Sequence, residues 1–255
     1  MNRILKYILL DILRNRIIIA YTLILLVVSW SIFSLENNSA KGLLSLLNLV
    51  LLTVPLVTIM FTTVYVYNSS EFIDLLLSQP VRRNKIWRSL YGGLSVAFAT
   101  AFAIGVGIPA LICAPGSVSL MLLLTGLLVS LVFVALAMLS AILSRDKAKG
   151  IGIAIVTWIF FAIIFDGIVL FLLFQFSDYP IEKAMIGITM LNPLTLARIL
   201  ILLHMDVSAI MGYTGAIFKD FFGTNLGVGL SFLLLLLWAY VPFRISLRLF
   251  NRRDN

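Results

Sequence analysis

The chain has 255 residues, 62% of them apolar and 12% charged, with a formal net charge of +8 and a mean hydropathy of +1.11. Ordinary soluble domains carry about 25% charged residues, so this composition speaks against a water-soluble fold. It also speaks against a nucleic-acid partner, because the basic residues lie beside apolar segments, where anionic headgroups attract them. The single cysteine, Cys113, allows neither an internal disulfide nor a cysteine-based metal cluster.

In chain order, residues 2–16 read as a helix lying in the membrane surface. At about 100° per residue, Ile4, Leu5, Ile8, Leu9 and Ile12 share one face, with Arg3, Lys6, Asp11 and Arg14 around the rest. Six apolar segments follow, at 17–34, 43–67, 90–113, 118–143, 150–176 and 227–243. Each approaches or exceeds the ~20 residues a helix needs to cross a bilayer. The first is too long for a signal-peptide core, and Ser34–Asn38 offers no good small-residue cleavage site. Pro55 in the second span and Pro109 in the third predict bends. In the third span Ala97, Ala101 and Gly105, with Ala99, Ala103 and Gly107, predict close helix approach.

Between the second and third spans lies Glu71-Phe72-Ile73-Asp74-Leu75-Leu76-Leu77-Ser78-Gln79-Pro80-Val81-Arg82-Arg83. This predicts a short amphipathic helix within 71–80, stopped before Pro80, then a basic turn. Leu75, Leu76 and Leu77 form an apolar patch outside the lipid, where a protein partner or the bilayer surface has to cover it. In the fifth span Asp166 is the one embedded carboxylate. Such a residue faces a bundle interior or a partner, or lies near enough to the interface to be wet.

The 177–226 segment is the long break on the opposite side. It contains the apolar stretch Leu194–Leu203, preceded by Asn192-Pro193 and followed by His204. Ten residues cannot span, so residues 181–204 read as short or re-entrant outer-face helices. Arg198 is expected to pair with Asp206, Glu182 or a headgroup. Met185, Met190, Met205 and Met211 gather near His204, a set chemically suited to Cu(I) but better read as apolar packing.

Six spans put 15 of the 19 basic residues on one side, including Arg82, Arg83, Lys85, Arg145, Lys147, Arg244 and Arg252. Only Lys41, Lys183, Arg198 and Lys219 fall on the other. The positive-inside rule then predicts both termini in the cytoplasm. Catalysis finds little support: there is no Gly-x-x-x-x-Gly-Lys-Ser/Thr loop, and the lone histidine excludes zinc-protease motifs.

The run Asp74-Leu-Leu-Leu-Ser-Gln-Pro-Val-Arg-Arg resembles the acidic–Leu-Leu-Leu-Ser/Thr-x-Pro-Val-x-Arg signature of ABC-2 type transporter permeases. Glu71-Phe72 stands where that family has Gly-Thr. The resemblance implies an all-α fold of six transmembrane helices, an N-terminal interfacial helix and one membrane domain over 1–255. It also implies that Glu71, Phe72, Asp74, Leu75–Leu77, Pro80, Arg82 and Arg83 form a coupling helix for a separate ATPase subunit. Two copies of that ATPase would carry ATP and Mg²⁺, and this chain, which would pair with a second copy of itself in a bacterial inner membrane, would bind no cofactor. Ile164-Phe165-Asp166-Gly167-Ile168-Val169-Leu170 and Leu191-Asn192-Pro193-Leu194-Thr195-Leu196-Ala197-Arg198-Ile199 look like the permeases of nitrous-oxide reductase maturation transporters. That narrower resemblance implies assembly of a periplasmic copper enzyme, with Asn192, Pro193, Arg198 and His204 toward a periplasmic copper-delivery partner. The alternatives are a generic ABC-2 exporter of a lipid, drug or polysaccharide precursor, and a passive membrane scaffold without an ATPase.

Overall fold

A computed structural model describes residues 2–36, 38–176, 182–205 and 225–252. Among them are ten helices and no strand: α1 (Asn2–Leu13), α2 (Arg16–Leu35), α3 (Ser39–Asn68), α4 (Ser70–Leu77), α5 (Arg83–Cys113), α6 (Ser117–Leu143), α7 (Lys147–Gln175), α8 (Glu182–Thr189), α9 (Pro193–His204) and α10 (Asn225–Arg252). Six of these, α2, α3, α5, α6, α7 and α10, are long and apolar enough to cross a membrane. The protein is therefore a polytopic all-α membrane protein, as its hydropathy predicts. The helices run beyond the apolar segments. The last continues through Pro242 to Arg252, so Arg244 and Arg248 ride on its final turns. The basic residues thus mark one end of the bundle, called here the basic end.

The centre of the bundle is α6, whose most apolar window is 67% buried. It packs against α3, α5, α7, α9 and α10. Such contact is close because small residues face large ones: the Phe102 ring of α5 lies where a side chain on Gly126 of α6 would have to go. In lipid, where no hydrophobic force draws helices together, this fit is what holds them. At the other extreme, α2 and α7 are only 22% and 11% buried, and present Ile24, Val27, Val156 and Phe171 outward.

Two spans contain a wide π-type turn. The one at Ala103–Gly107 precedes Pro109, which lacks an N–H and cannot continue the regular ladder. The one at Phe160–Ile164 has no nearby proline; its partner is described below.

The N-terminal helix is more than a surface anchor. Ile8 and Ile12 are 1% and 0% exposed, packed on the start of α5. A Cβ on Gly93 would meet Ile8 at 2.7 Å, so α1 sits directly on the α5 backbone. Its apolar stripe faces protein, with Lys6, Tyr7, Asp11 and Arg14 outward.

Candidate functional site

At the basic end, α4 bridges α3 and α5. It covers Ser70–Leu77, ending three residues before Pro80, and Ser78 and Gln79 complete its last turn through N–H bonds to Asp74 and Leu76 carbonyls. Its inner face is Phe72, Ile73, Leu76 and Leu77; Ile73 is buried and the other three lean on the core. The Phe72 ring stacks on Tyr7 of α1 at 5.5 Å, and the Tyr65 hydroxyl of α3 donates to Asp11 of α1 at 2.8 Å. The outer face is Glu71, Asp74 and Leu75, and Leu75 is 65% exposed. The Leu-Leu-Leu run is therefore split: one leucine faces out, and two hold the helix to the bundle.

From α4 the chain turns at the exposed Pro80 and enters α5 with Arg82 at its N-cap and a half-buried Arg83. There α5 is fastened to the end of α10. Trp87 stacks on Phe250 at 4.4 Å and donates to Ser246 at 3.0 Å, and Tyr91 stacks on Phe243 at 4.3 Å. Behind α4 lies a cavity of about 360 Å³, with Asp74, Arg145, Trp87 and Phe250 among its walls.

The second constellation lies toward the far end. Helices α8 and α9 form a re-entrant hairpin whose turn, Met190–Asn192, sits level with the middle of the spans. Two bonds fix that depth. Trp238, midway along α10, donates to the Met190 carbonyl at 3.3 Å, and Asn192 donates to the Phe161 carbonyl, midway along α7, at 2.8 Å. Phe161 lies in the second wide turn of α7, so that turn supplies the carbonyl which receives Asn192. Asn192 also caps α9, its Oδ1 accepting from the Leu194 N–H at 2.8 Å, and Pro193 takes the first helical position. Buried backbone groups in hydrocarbon must be paired; the fully buried Asn192 side chain does this for two of them.

From the turn, α9 climbs back to the far end, where Met205 lines a cavity together with Ser39, Ala40 and Ala114. Leu194, Leu196, Ala197, Ile199, Leu200 and Ile201 are buried. On the remaining face, Arg198 Nη1 contacts Asp166 Oδ2 at 2.6 Å, and the Thr195 hydroxyl donates to Asp166 Oδ1 at 3.2 Å. The Arg198 and Asp166 side chains are 36% and 31% exposed.

Arg198 is bonded to Asp166 of α7, a partner the sequence did not suggest; the expected partners, Asp206 and the Glu182 side chain, lie outside the described residues. The short helix also turns its apolar residues into the bundle, which it plugs. His204, exposed at the top of α9, stands apart from the Asp166 cluster. Met185 is 2% exposed among packing residues, and Met211 lies outside the described residues. The sequence reading missed Thr195, Trp238 and Phe161. Thr195 was recoverable, since it lies three residues before Arg198 and one carboxylate can receive both.

Residues 70–255 match the family described as "ABC-2 family transporter protein". The chain belongs to that family. As an ABC-2 permease it is similar to two curated relatives, each named "Probable ABC transporter permease protein NosY". The one from Pseudomonas aeruginosa strain PAO1 is 27% identical over 266 residues, covering 95% of this chain and 94% of the relative. The one from Stutzerimonas stutzeri is 26% identical over 272 residues, covering 95% of each. The family match of this ABC-2 permease begins at the first residue of α4 and extends past the hairpin to the C-terminus.

Proposed function

We propose that this ABC-2 permease sits in a bacterial inner membrane with both termini in the cytoplasm. There it pairs with a second copy of itself and docks two copies of a separate ATPase through α4. The observation that carries this is the division of α4: a face rooted by Phe72, Ile73, Leu76 and Leu77, and a free face on which Glu71 and Asp74 flank Leu75. Placed at the basic end, that free face lies on the cytoplasmic side of the membrane by the positive-inside rule. ATP and Mg²⁺ belong to the ATPase.

In this reading, ATP-driven movement of the ATPase shifts α4, which is rooted in α1, α3 and α5. The aromatic stacks carry that shift from α5 into α10, and Trp238 and Asn192 connect α10 and α7 to the hairpin. A rigid-body tilt of packed helices is the form such a change takes. The names of the relatives, with the Asp166 and Asn192–Ile199 motifs, support a narrower role in maturation of periplasmic nitrous-oxide reductase, with the hairpin end toward a periplasmic copper-delivery protein.

Co-purification with the ATPase subunit of the same transporter tests the coupling role. Burying one leucine contributes about 1.5–3 kcal/mol, so Leu75→Asp is expected to weaken association roughly 10- to 100-fold. Leu76→Asp strikes the rooted face and is expected to lower the yield of folded protein instead. Wild-type recovery of the ATPase with Leu75→Asp overturns the docking role.

A further inference from the structure

Between the start of α2 and the basic half of α3 runs a lateral groove of about 450 Å³. Its walls are apolar, formed by Ile17, Leu56, Met60, Phe61 and Val64. Its polar lining is confined to the basic end, at Asn15, Asn68 and the Tyr65 hydroxyl, which is already bonded to Asp11. From Leu56 to Asn68 the groove follows α3 for 12 residues, roughly 18 Å at 1.5 Å per residue. One leaflet of the hydrocarbon core is about 15 Å deep. The groove therefore reaches from headgroup level to the middle of the bilayer.

Three cations adjoin residues of its basic end. Asn15 lies between the exposed Arg14 and Arg16, and among the described residues neither arginine enters an ion pair. Lys147 Nζ donates to Asn68 Oδ1 at 2.8 Å, placing a third cation at the same rim. Two carboxylates stand near the same rim, Asp11 accepting from Tyr65 and Asp146 capping α7 through the Ala148 N–H, so the three cations leave it net positive.

We propose that this groove is a binding site for one anionic phospholipid of the leaflet at the basic end. An acyl chain lies along Met60 and Val64, and the phosphate is held by Arg14, Arg16 and Lys147. Depth, apolar walls and a cationic rim are the three things such a lipid needs in one place. A second copy of the chain is the poorer occupant. A second copy filling it has to set carboxylates against Arg14, Arg16 and Lys147, and the chain has only 11 acidic residues to 19 basic ones. The site is independent of α4 and of any ATPase.

The test uses the full chain in phosphatidylcholine vesicles, doped with a trace of phosphatidylglycerol or phosphatidylcholine bearing a photoreactive acyl chain. Peptide mapping then locates the adducts. The phosphatidylglycerol probe is expected to label α3 between Leu56 and Tyr65 several-fold more than the phosphatidylcholine probe. Arg14→Gln with Arg16→Gln is expected to remove that several-fold preference, while labelling at the exposed Phe171 of α7 stays unchanged. Met60→Trp, which fills the groove, is expected to abolish α3 labelling by both probes; if it does not fold, the headgroup comparison on the wild type decides alone. Equal α3 labelling by the two headgroups reduces the groove to ordinary lipid contact and overturns the proposal. So does a zero-length crosslink from position 60 to a second copy.

Discussion

The two ends of this permease are held together by different chemistry. At the basic end, α1, α4, α5 and the tail of α10 meet through stacked rings and close backbone approach: Tyr7 on Phe72, Trp87 on Phe250, Tyr91 on Phe243, Ile8 over Gly93. Toward the far end, α9 packs its apolar residues into the bundle, but the hairpin is positioned against α7 and α10 by single polar contacts from Asn192, Trp238 and Arg198. Ring stacks lose energy gradually as helices slide, whereas one hydrogen bond in hydrocarbon is either made or left as an unpaired group. Under the proposed coupling, the difference suits a stiff end that receives a push and a plug with discrete positions.

Asn192→Leu should be the most damaging single change. It removes the α9 cap, worth about 0.5–2 kcal/mol, and strands the Phe161 carbonyl, at about 1–3 kcal/mol. Together these predict a loss of about 2–4 kcal/mol, read as a large drop in thermal midpoint of the detergent-solubilised protein. An unchanged midpoint would show that the hairpin turn does not need its polar anchor. At the basic end, Trp87→Phe keeps the stack on Phe250 but loses the bond to Ser246. It should cost only about 0.5–1.5 kcal/mol. If it costs more than Asn192→Leu, the contrast between the two ends is inverted.

Next in size is the Asp166–Arg198 pair. An unpaired Asp at a helix centre costs about 2.5–3.5 kcal/mol on insertion scales, but this one is a third exposed, so the effect should be smaller. Asp166→Asn and Arg198→Met should each destabilise, and the double variant should be less damaged than the two losses added. A coupling of about 1 kcal/mol is expected from the cycle. Strict additivity would mean that the two groups act separately despite their 2.6 Å approach.

These contacts also show where the sequence was informative. Span number and the α4 break were readable because length, apolar runs and Pro80 are local signals. The short outer helix was readable as non-spanning because ten apolar residues are too few. What it plugs was not readable, since the depth of Met190–Asn192 depends on Trp238 and Phe161, 48 and 31 residues away. The same holds for α1: its amphipathic stripe is equally suited to lipid and to protein, and only Gly93, on another helix, decides. Replacing 194–203 with a polar linker would unpack the bundle, because Leu196 and Ala197 are 0% exposed.

The smallest effect is expected at His204. It is exposed at the last turn of α9, and exposed substitutions usually change stability by less than about 0.5 kcal/mol. Copper ligation would require nearby thioethers to converge on it. Met190 lies at the opposite end of α9, whose 12 residues extend roughly 18 Å, far beyond any shared coordination shell. Met185 is enclosed by packing, and Met205, the residue after His204, lines a cavity with Ser39 and Ala114. His204→Ala should therefore leave both the thermal midpoint and, under the maturation reading, the copper content of nitrous-oxide reductase close to wild type. Loss of copper loading in that variant, with the permease still folded and still bound to its ATPase, would place copper ligation at the top of α9.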